Sequence, residues 1–206
     1  NKVFTIVVLR CAPIVPRNYS QTKDKIEKDR SKKVRIAEAR FSLDQGWDKL
    51  PDPILWDSEQ TMVLAFCAPS FFDTPAPIAE LKSKYPRSFI LGCSTSGEIQ
   101  GPHVFDSSIV LSFCRFDKTR FEVMSAPIFK PEESTDVGVK LGDFLRSKQT
   151  PTEKLKGALV FSDGLNANGT NLIAGINSSL KEQSVPIGGG LAGDGNAFKR
   201  TFVVCD

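Results

Sequence analysis

Apolar residues in this chain come in short unbroken runs separated by loops of small and polar residues, and two such blocks share one order. In residues 157–194 the run Ala158, Leu159, Val160 and Phe161 is continuous, as a strand buried on both faces of a parallel sheet requires. It stops at Ser162-Asp163-Gly164-Leu165-Asn166-Ala167-Asn168-Gly169. Leu172, Ile173, Ile176 and Leu180 then recur at helical spacing behind Thr170, which reads as the N-cap. Val185, Pro186 and Ile187 form a short second strand, closed by Gly188-Gly189-Gly190-Leu191-Ala192-Gly193-Asp194-Gly195. Strand, crossover helix and strand in that order make a parallel, right-handed unit, so both polar loops fall at one edge of the sheet. Two loops rich in backbone N–H groups facing one crevice predict a small-molecule site.

The same order occurs earlier. Residues 61–66 form a continuous apolar strand ending in Cys67-Ala68-Pro69-Ser70, and a helix is expected from near Thr74, with Pro75 and Pro77 in its first turn and Ile78, Ala79 and Leu81 facing inward. Phe89, Ile90 and Leu91 make the next strand, closed by Gly92-Cys93-Ser94-Thr95-Ser96-Gly97-Glu98. The closing loops align, residues 92–98 against 188–194, each ending in glycine followed by an acid. An internal duplication of about residues 61–127 and 157–206 follows, with two similar crevices or one shared crevice.

Between the blocks, residues 108–116 and 120–126 read as an antiparallel hairpin, and Val137, Leu141, Phe144 and Leu145 mark an amphipathic helix. Residues 201–205 are a final strand equivalent to 108–116. The domain is therefore expected to run on past Asp206 and to leave an unpaired edge. Val34, Ile36, Ala37 and Ala39 suggest an edge strand, followed by a loop holding Gly46, Trp47, Pro51 and Pro53. Residues 3–9 are an apolar run, read as an added strand or upstream linker rather than a signal-peptide core. Residues 21–33 carry Ile26 as their one apolar residue and read as a solvated linker or exposed helix, so residues 1–32 are taken as an extension and 33–206 as the folded domain. The fold class expected is α/β: a mixed β-sheet core with βαβ crossover units and helices packed on the sheet faces.

Composition narrows the function. The 27 basic and 24 acidic residues are spread along the chain, so the basic stripe of a nucleic-acid surface is missing. Five cysteines, an odd number with no CxxC pair, read as reduced thiols of an intracellular, cytoplasmic protein, and the sequons at Asn18, Asn168 and Asn177 then count for little. No apolar run approaches the roughly 20 residues that cross a bilayer.

Several motifs point to chemistry without completing it. Gly188-x-Gly190-x-x-Gly193 matches a dinucleotide fingerprint, but a strand pattern follows it instead of the helix that would hold a pyrophosphate. Ser162 and Asp163 lack a triad partner, since His103 is the only histidine and no Gly-x-Ser-x-Gly elbow exists. Cys93 ends a strand beside loop amides that would lower its pKa, although a small residue in a crowded turn is the favoured reading. Asp163, Glu98 and Asp194 accept hydrogen bonds from loop amides or from an ammonium-bearing ligand, in preference to a metal. Asn166 and Asn168 suit left-handed turns and present amides. His103 could ligate haem iron, though a lone loop histidine is ordinarily exposed. No catalytic set and no metal site emerges, so an enzyme is not expected.

Three stretches together resemble the N-terminal half of the FIST domain family, whose name we expand as F-box and intracellular signal transduction proteins. They are Phe161 through Thr170, the loop Gly92-Cys93-Ser94-Thr95-Ser96-Gly97-Glu98-Ile99, and Gly189-Gly190-Leu191-Ala192-Gly193-Asp194-Gly195 with Arg200-Thr201. The resemblance implies an intracellular sensory module that is normally followed by a C-terminal FIST half. It also implies signalling outputs in bacteria or an F-box in eukaryotes, where the module would recruit substrates to a ubiquitin ligase. The implied ligand is a small molecule, with amino acids the usual proposal and haem a minor one. Read onto this chain, the binding residues are Cys93, Ser94, Thr95 and Glu98 in the first loop. Ser162, Asp163, Gly164, Asn166, Asn168 and Gly169 follow in the second, and Gly189, Gly190 and Asp194 in the third. The chain departs from the pattern in lacking the C-terminal half, and residues 1–32 match neither an F-box nor a known output domain.

Overall fold

The structure, a computed structural model, describes residues 3–11, 34–150, 155–181 and 185–205. The polar segment 21–33, the boundary at Lys32 and Asp206 lie outside them. In chain order the elements are β1 (Val3–Cys11), β2 (Val34–Ser42), β3 (Gly46–Trp47), α1 (Pro53–Trp56), β4 (Thr61–Cys67), α2 (Ala76–Lys84), β5 (Phe89–Ser94), β6 (Glu98–Gln100), β7 (His103–Phe105) and β8 (Ser108–Phe116). They continue as β9 (Thr119–Pro127), α3 (Ser134–Ser147), β10 (Leu155–Ser162), α4 (Gly169–Leu180), β11 (Ile187–Leu191) and β12 (Val203–Cys205), with a 3₁₀ turn at Pro69–Phe72 before α2.

Two sheets stack between two helical layers, an α/β fold. One has the order β11-β10-β1-β9 and the other β12-β5-β4-β8-β2-β3. Alternation along β10 shows why its apolar run is unbroken: Ala158 and Val160 pack on α3 and α4, while Phe161 and Leu159 pack against the other sheet. β4 does the same, with Val63, Ala65 and Cys67 toward α2 and Met62, Leu64 and Phe66 toward the partner sheet. Edge-to-face rings stitch the layers together, Phe66 to Phe161 at 6.0 Å and Phe89 to Phe121 at 5.3 Å.

Both crossover units form. β4 and β5 are parallel with Met62 opposite Phe89, and β10 and β11 are parallel with Ala158 opposite Ile187. β2 runs antiparallel to β8 along its whole length, and among the described residues only β3 pairs on its other side, covering Phe41 and Ser42. The apolar run at residues 3–9 is a strand with an inner place, pairing with β10 on one side and β9 on the other.

The predicted hairpin at 108–126 does not exist. β8 pairs with β4 and β2, whereas β9 pairs with β1 in the opposite sheet, so the turn between them carries the chain from one layer to the other. Alternating apolar positions around a tight turn suit either arrangement, and here each strand finds a longer ladder elsewhere; Phe116 and Phe121 still meet, at 5.4 Å, across the sheets. β12 departs in the same way. It matches β8 in order but pairs with β5 of the first block, Val203 opposite Cys93, and β1 takes the antiparallel place beside β10 that β8 holds beside β4.

Two helix ends also differ from expectation. α2 begins at Ala76 with Pro75 as its cap, burying Pro77 and Leu81 while Ala79 is exposed. α4 is capped by Asn168 rather than Thr170, the Asn168 side chain accepting from Asn171 N at 3.0 Å. α3 and α4 pack backbone to backbone. A Cβ added to Gly138 would lie 2.2 Å from the Leu172 carbonyl oxygen, and one on Gly175 would lie 2.2 Å from that of Thr135.

Candidate functional site

The loops that close β5, β10 and β11 meet at one rim. Ala192 N donates to Ser162 O at 2.8 Å, and Gly193 N donates to Ser94 O at 2.8 Å, so the third loop is bonded to both others. Gly164 N donates to Thr201 Oγ1 at 3.1 Å and Gly195 N to Ser96 Oγ at 3.1 Å. Glycine is required where the loops touch: a Cβ on Gly164 would stand 1.8 Å from Ala192 O. Matching hydrogen bonds, Thr95 N to Cys67 O and Ala192 N to Ser162 O, make Thr95 the counterpart of Ala192, one residue further along than the loop alignment. A one-residue slip is invisible in loops made of small residues, because none of their side chains anchors a register.

The three acids hold the loops in shape. Glu98 is 1% exposed, with Oε1 accepting from Thr95 Oγ1 at 2.8 Å and Oε2 from Ser108 Oγ at 2.9 Å and Ser108 N at 3.2 Å. Burial raises its carboxyl above the ordinary value and outweighs these donors. Asp194 accepts from Phe198 N at 3.1 Å through Oδ1 and from Lys199 N at 2.6 Å and Arg200 N at 2.8 Å through Oδ2. The N–H groups of Arg200, Lys199 and Phe198 hold its carboxyl below the usual range. Asp163 is buried, and its Oδ1 accepts from Leu165 N at 2.8 Å, Asn166 N at 2.6 Å and Asn166 Nδ2 at 2.9 Å. Among the described residues Asp163 Oδ2 has no hydrogen-bond partner, alone of the six carboxylate oxygens.

Cys93 lies in the layer between the sheets, and burial pushes its thiol up to about 11, so the turn does not activate it. Ser94 is buried, accepting from Phe202 N at 3.1 Å. Asn168 donates its N–H to Ser134 Oγ at 2.8 Å and so ties the second loop to the start of α3; nothing in the sequence singled out Ser134 or Ser108 for this work.

A cleft of about 310 Å³ opens beside the rim, between β10, β11 and α4. Of the candidate residues, Ser162, Gly169, Gly189 and Gly190 line it, and Val160, Leu172, Ile173, Ile187 and Leu191 make it apolar. A second cavity of about 450 Å³ lies against Pro69, Ser70, Asp194 and Arg200. There Arg200 sits 4.0 Å above the Phe72 ring and pairs with Asp73. Cys93, Ser94, Thr95 and Glu98 line neither cavity. His103 is exposed on β7 with its ring 6.1 Å from Phe105, and it too lines neither cavity. Among the described residues no group of three His, Cys, Asp or Glu is placed to hold a metal ion, and no helix is long and apolar enough to cross a membrane.

The model of the FIST N domain family matches residues 61–206, a family associated with signal transduction sensing. The match supports the family and not the F-box reading of its name, and it carries no F-box association. No curated protein and no solved structure matches the chain. The matched residues include both crossover blocks and all three rim loops, and on that extent the chain belongs to the FIST N domain family.

Proposed function

We propose that this domain is a non-enzymatic sensory module that binds a small ligand at the rim of the two sheets and passes the binding event to a signalling partner. The observation that carries this reading is the third loop's bonding to both others beside an open cleft, because a ligand touching that loop acts on both halves of the fold at once. The candidate ligand is an amino acid or a similar small polar metabolite, held by backbone N–H groups of α4 and the loops. The partners proposed are the C-terminal FIST half and an output domain, in the cytoplasm. A thermal-shift panel of amino acids and related metabolites tests it: a true ligand at a hundred-fold excess over its Kd adds about 2.7 kcal/mol of stability. No shift with any panel member, in protein that includes the C-terminal half, refutes the reading.

One observation favours an interaction module instead. Ile99 and Val104 face each other across the β6–β7 hairpin and are 68% and 69% exposed, an apolar pair offered to solvent. Capture of a signalling partner that is lost with Ile99→Asp but indifferent to the cleft would select this reading.

A further inference from the structure

The cleft differs between the two blocks. In the first block the 3₁₀ turn before α2 inserts Phe71, 3% exposed, into the core over β4 and β5. In the second block the turn leading into α4 inserts no aromatic, and the helix-facing positions of β11 are Ile187, Gly189 and Leu191, in register with Ala158, Val160 and Ser162. A Cβ at Gly189 would stand 1.9 Å from Val160 O, so no side chain can fill the middle of that face. The cleft is open to solvent along the exposed residues 188–191 of the edge strand β11, and its inner wall is the aliphatic set Val160, Leu172, Ile173 and Ile187.

At its loop end the cleft turns polar. Ser162 alternates with Val160 and therefore faces α4, and it is 1% exposed. Its hydroxyl has one neighbour, the Asp163 carbonyl at 3.4 Å, beyond the range of an effective O–H···O bond, and it receives no donor among the described residues. Beside it stands the N-terminus of the 12-residue α4. Asn168 caps Asn171 N there, while the Gly169 and Thr170 N–H groups have no partner among the described residues. Gly169 is half-buried and Thr170 exposed, and free N–H donors at a helix N-terminus favour an anion. None of the three rim acids lines the cleft, so an ammonium group entering it would meet no carboxylate there.

Resting on the small-ligand reading above, we infer that the cleft between β11 and α4 takes a small monocarboxylate with a short branched aliphatic body, in preference to the corresponding zwitterionic amino acid. The carboxylate bonds to Ser162 Oγ and the Gly169 N–H, and the hydrocarbon lies against Val160, Leu172, Ile173 and Ile187. Isovalerate, its neutral amide isovaleramide, and leucine are the probes, titrated into the whole chain by calorimetry, with the glycine amide resonances followed by two-dimensional NMR. Isovalerate binds and shifts the amides of Gly169, Gly189 and Gly190, and the amide and leucine each bind at least tenfold more weakly. Ser162→Ala weakens isovalerate about tenfold, and Ile173→Trp, which fills the cleft, abolishes binding with the melting transition retained. Should Ile173→Trp unfold the chain, the Ser162→Ala result and the location of the amide shifts decide alone. Leucine binding more tightly than isovalerate, or amide shifts lying elsewhere, overturns this inference and leaves the small-ligand reading standing. The failure of every small metabolite removes both.

Discussion

Gly193 donates its N–H to the carbonyl of Ser94 at 2.8 Å, joining the loop that closes the second crossover unit to the loop that closes the first. The contact is close enough to specify its residue: a Cβ at position 193 would lie 2.7 Å from Ser96 Oγ and 3.3 Å from Ser96 N. Gly193→Val should push the loops apart and cost about 1–3 kcal/mol. Urea unfolding should show a lower midpoint with an unchanged slope. An unaltered midpoint would mean that the rim is not held at this point.

The helical layer makes a sharper comparison. Gly138→Ala drives a methyl into the Leu172 carbonyl and the Gly175 backbone, and should cost at least about 2 kcal/mol. Gly190, with nothing within 4 Å of an added Cβ, should accept alanine within about 0.5 kcal/mol. Similar losses for the two variants would contradict the close approach of α3 and α4.

The N-cap of α4 discriminates between neighbours. Asn168→Ala removes the bond to Asn171 N and should destabilise by about 1 kcal/mol, whereas Thr170→Ala should be nearly silent. The opposite ranking would restore the cap to Thr170.

Stability should respond to pH with opposite signs at two acids. Glu98 is held above its ordinary 4.5, so the folded state keeps its proton more tightly than the unfolded chain. Its contribution is full below that value and is lost as pH rises through the raised folded value. Asp194 is held below its ordinary 3.8, so its contribution is present above that value and lost as pH falls through the lowered one. Denaturation of Glu98→Gln against the native chain should therefore move in the variant's favour as pH climbs from about 4.5. The deficit of Asp194→Asn should shrink below about 3.8. Parallel profiles for variant and native chain would refute either assignment.

Cys93 should resist iodoacetamide at pH 8 in the folded protein and react once urea exposes it, since its thiol is buried and pushed up to about 11. Fast labelling of Cys93, located by peptide mapping under native conditions, would reopen a nucleophilic role.

Much of this was legible beforehand. Unbroken runs such as 158–161 report a strand covered on both faces, because only burial on alternating sides removes the need for polar positions. The spacing of Leu172, Ile176 and Leu180 places one helical face on a sheet, and the small-residue loops between these elements mark the rim and the family. These are local properties, set within a few residues by backbone geometry. Partnership is not local. Whether β8 pairs with β9 or with β4 and β2, and whether β12 rejoins its own block or crosses to β5, depends on competing hydrogen-bond ladders and on aromatic packing between sheets, all of it between residues far apart in the chain. The same holds for the acids of the rim. Their spacing suggested three groups ready for a ligand, yet only folding brings Ser108 to Glu98 and lays the 198–200 amides on Asp194, leaving Ser162 and Gly169, not the acids, among the residues that line the cleft beside α4.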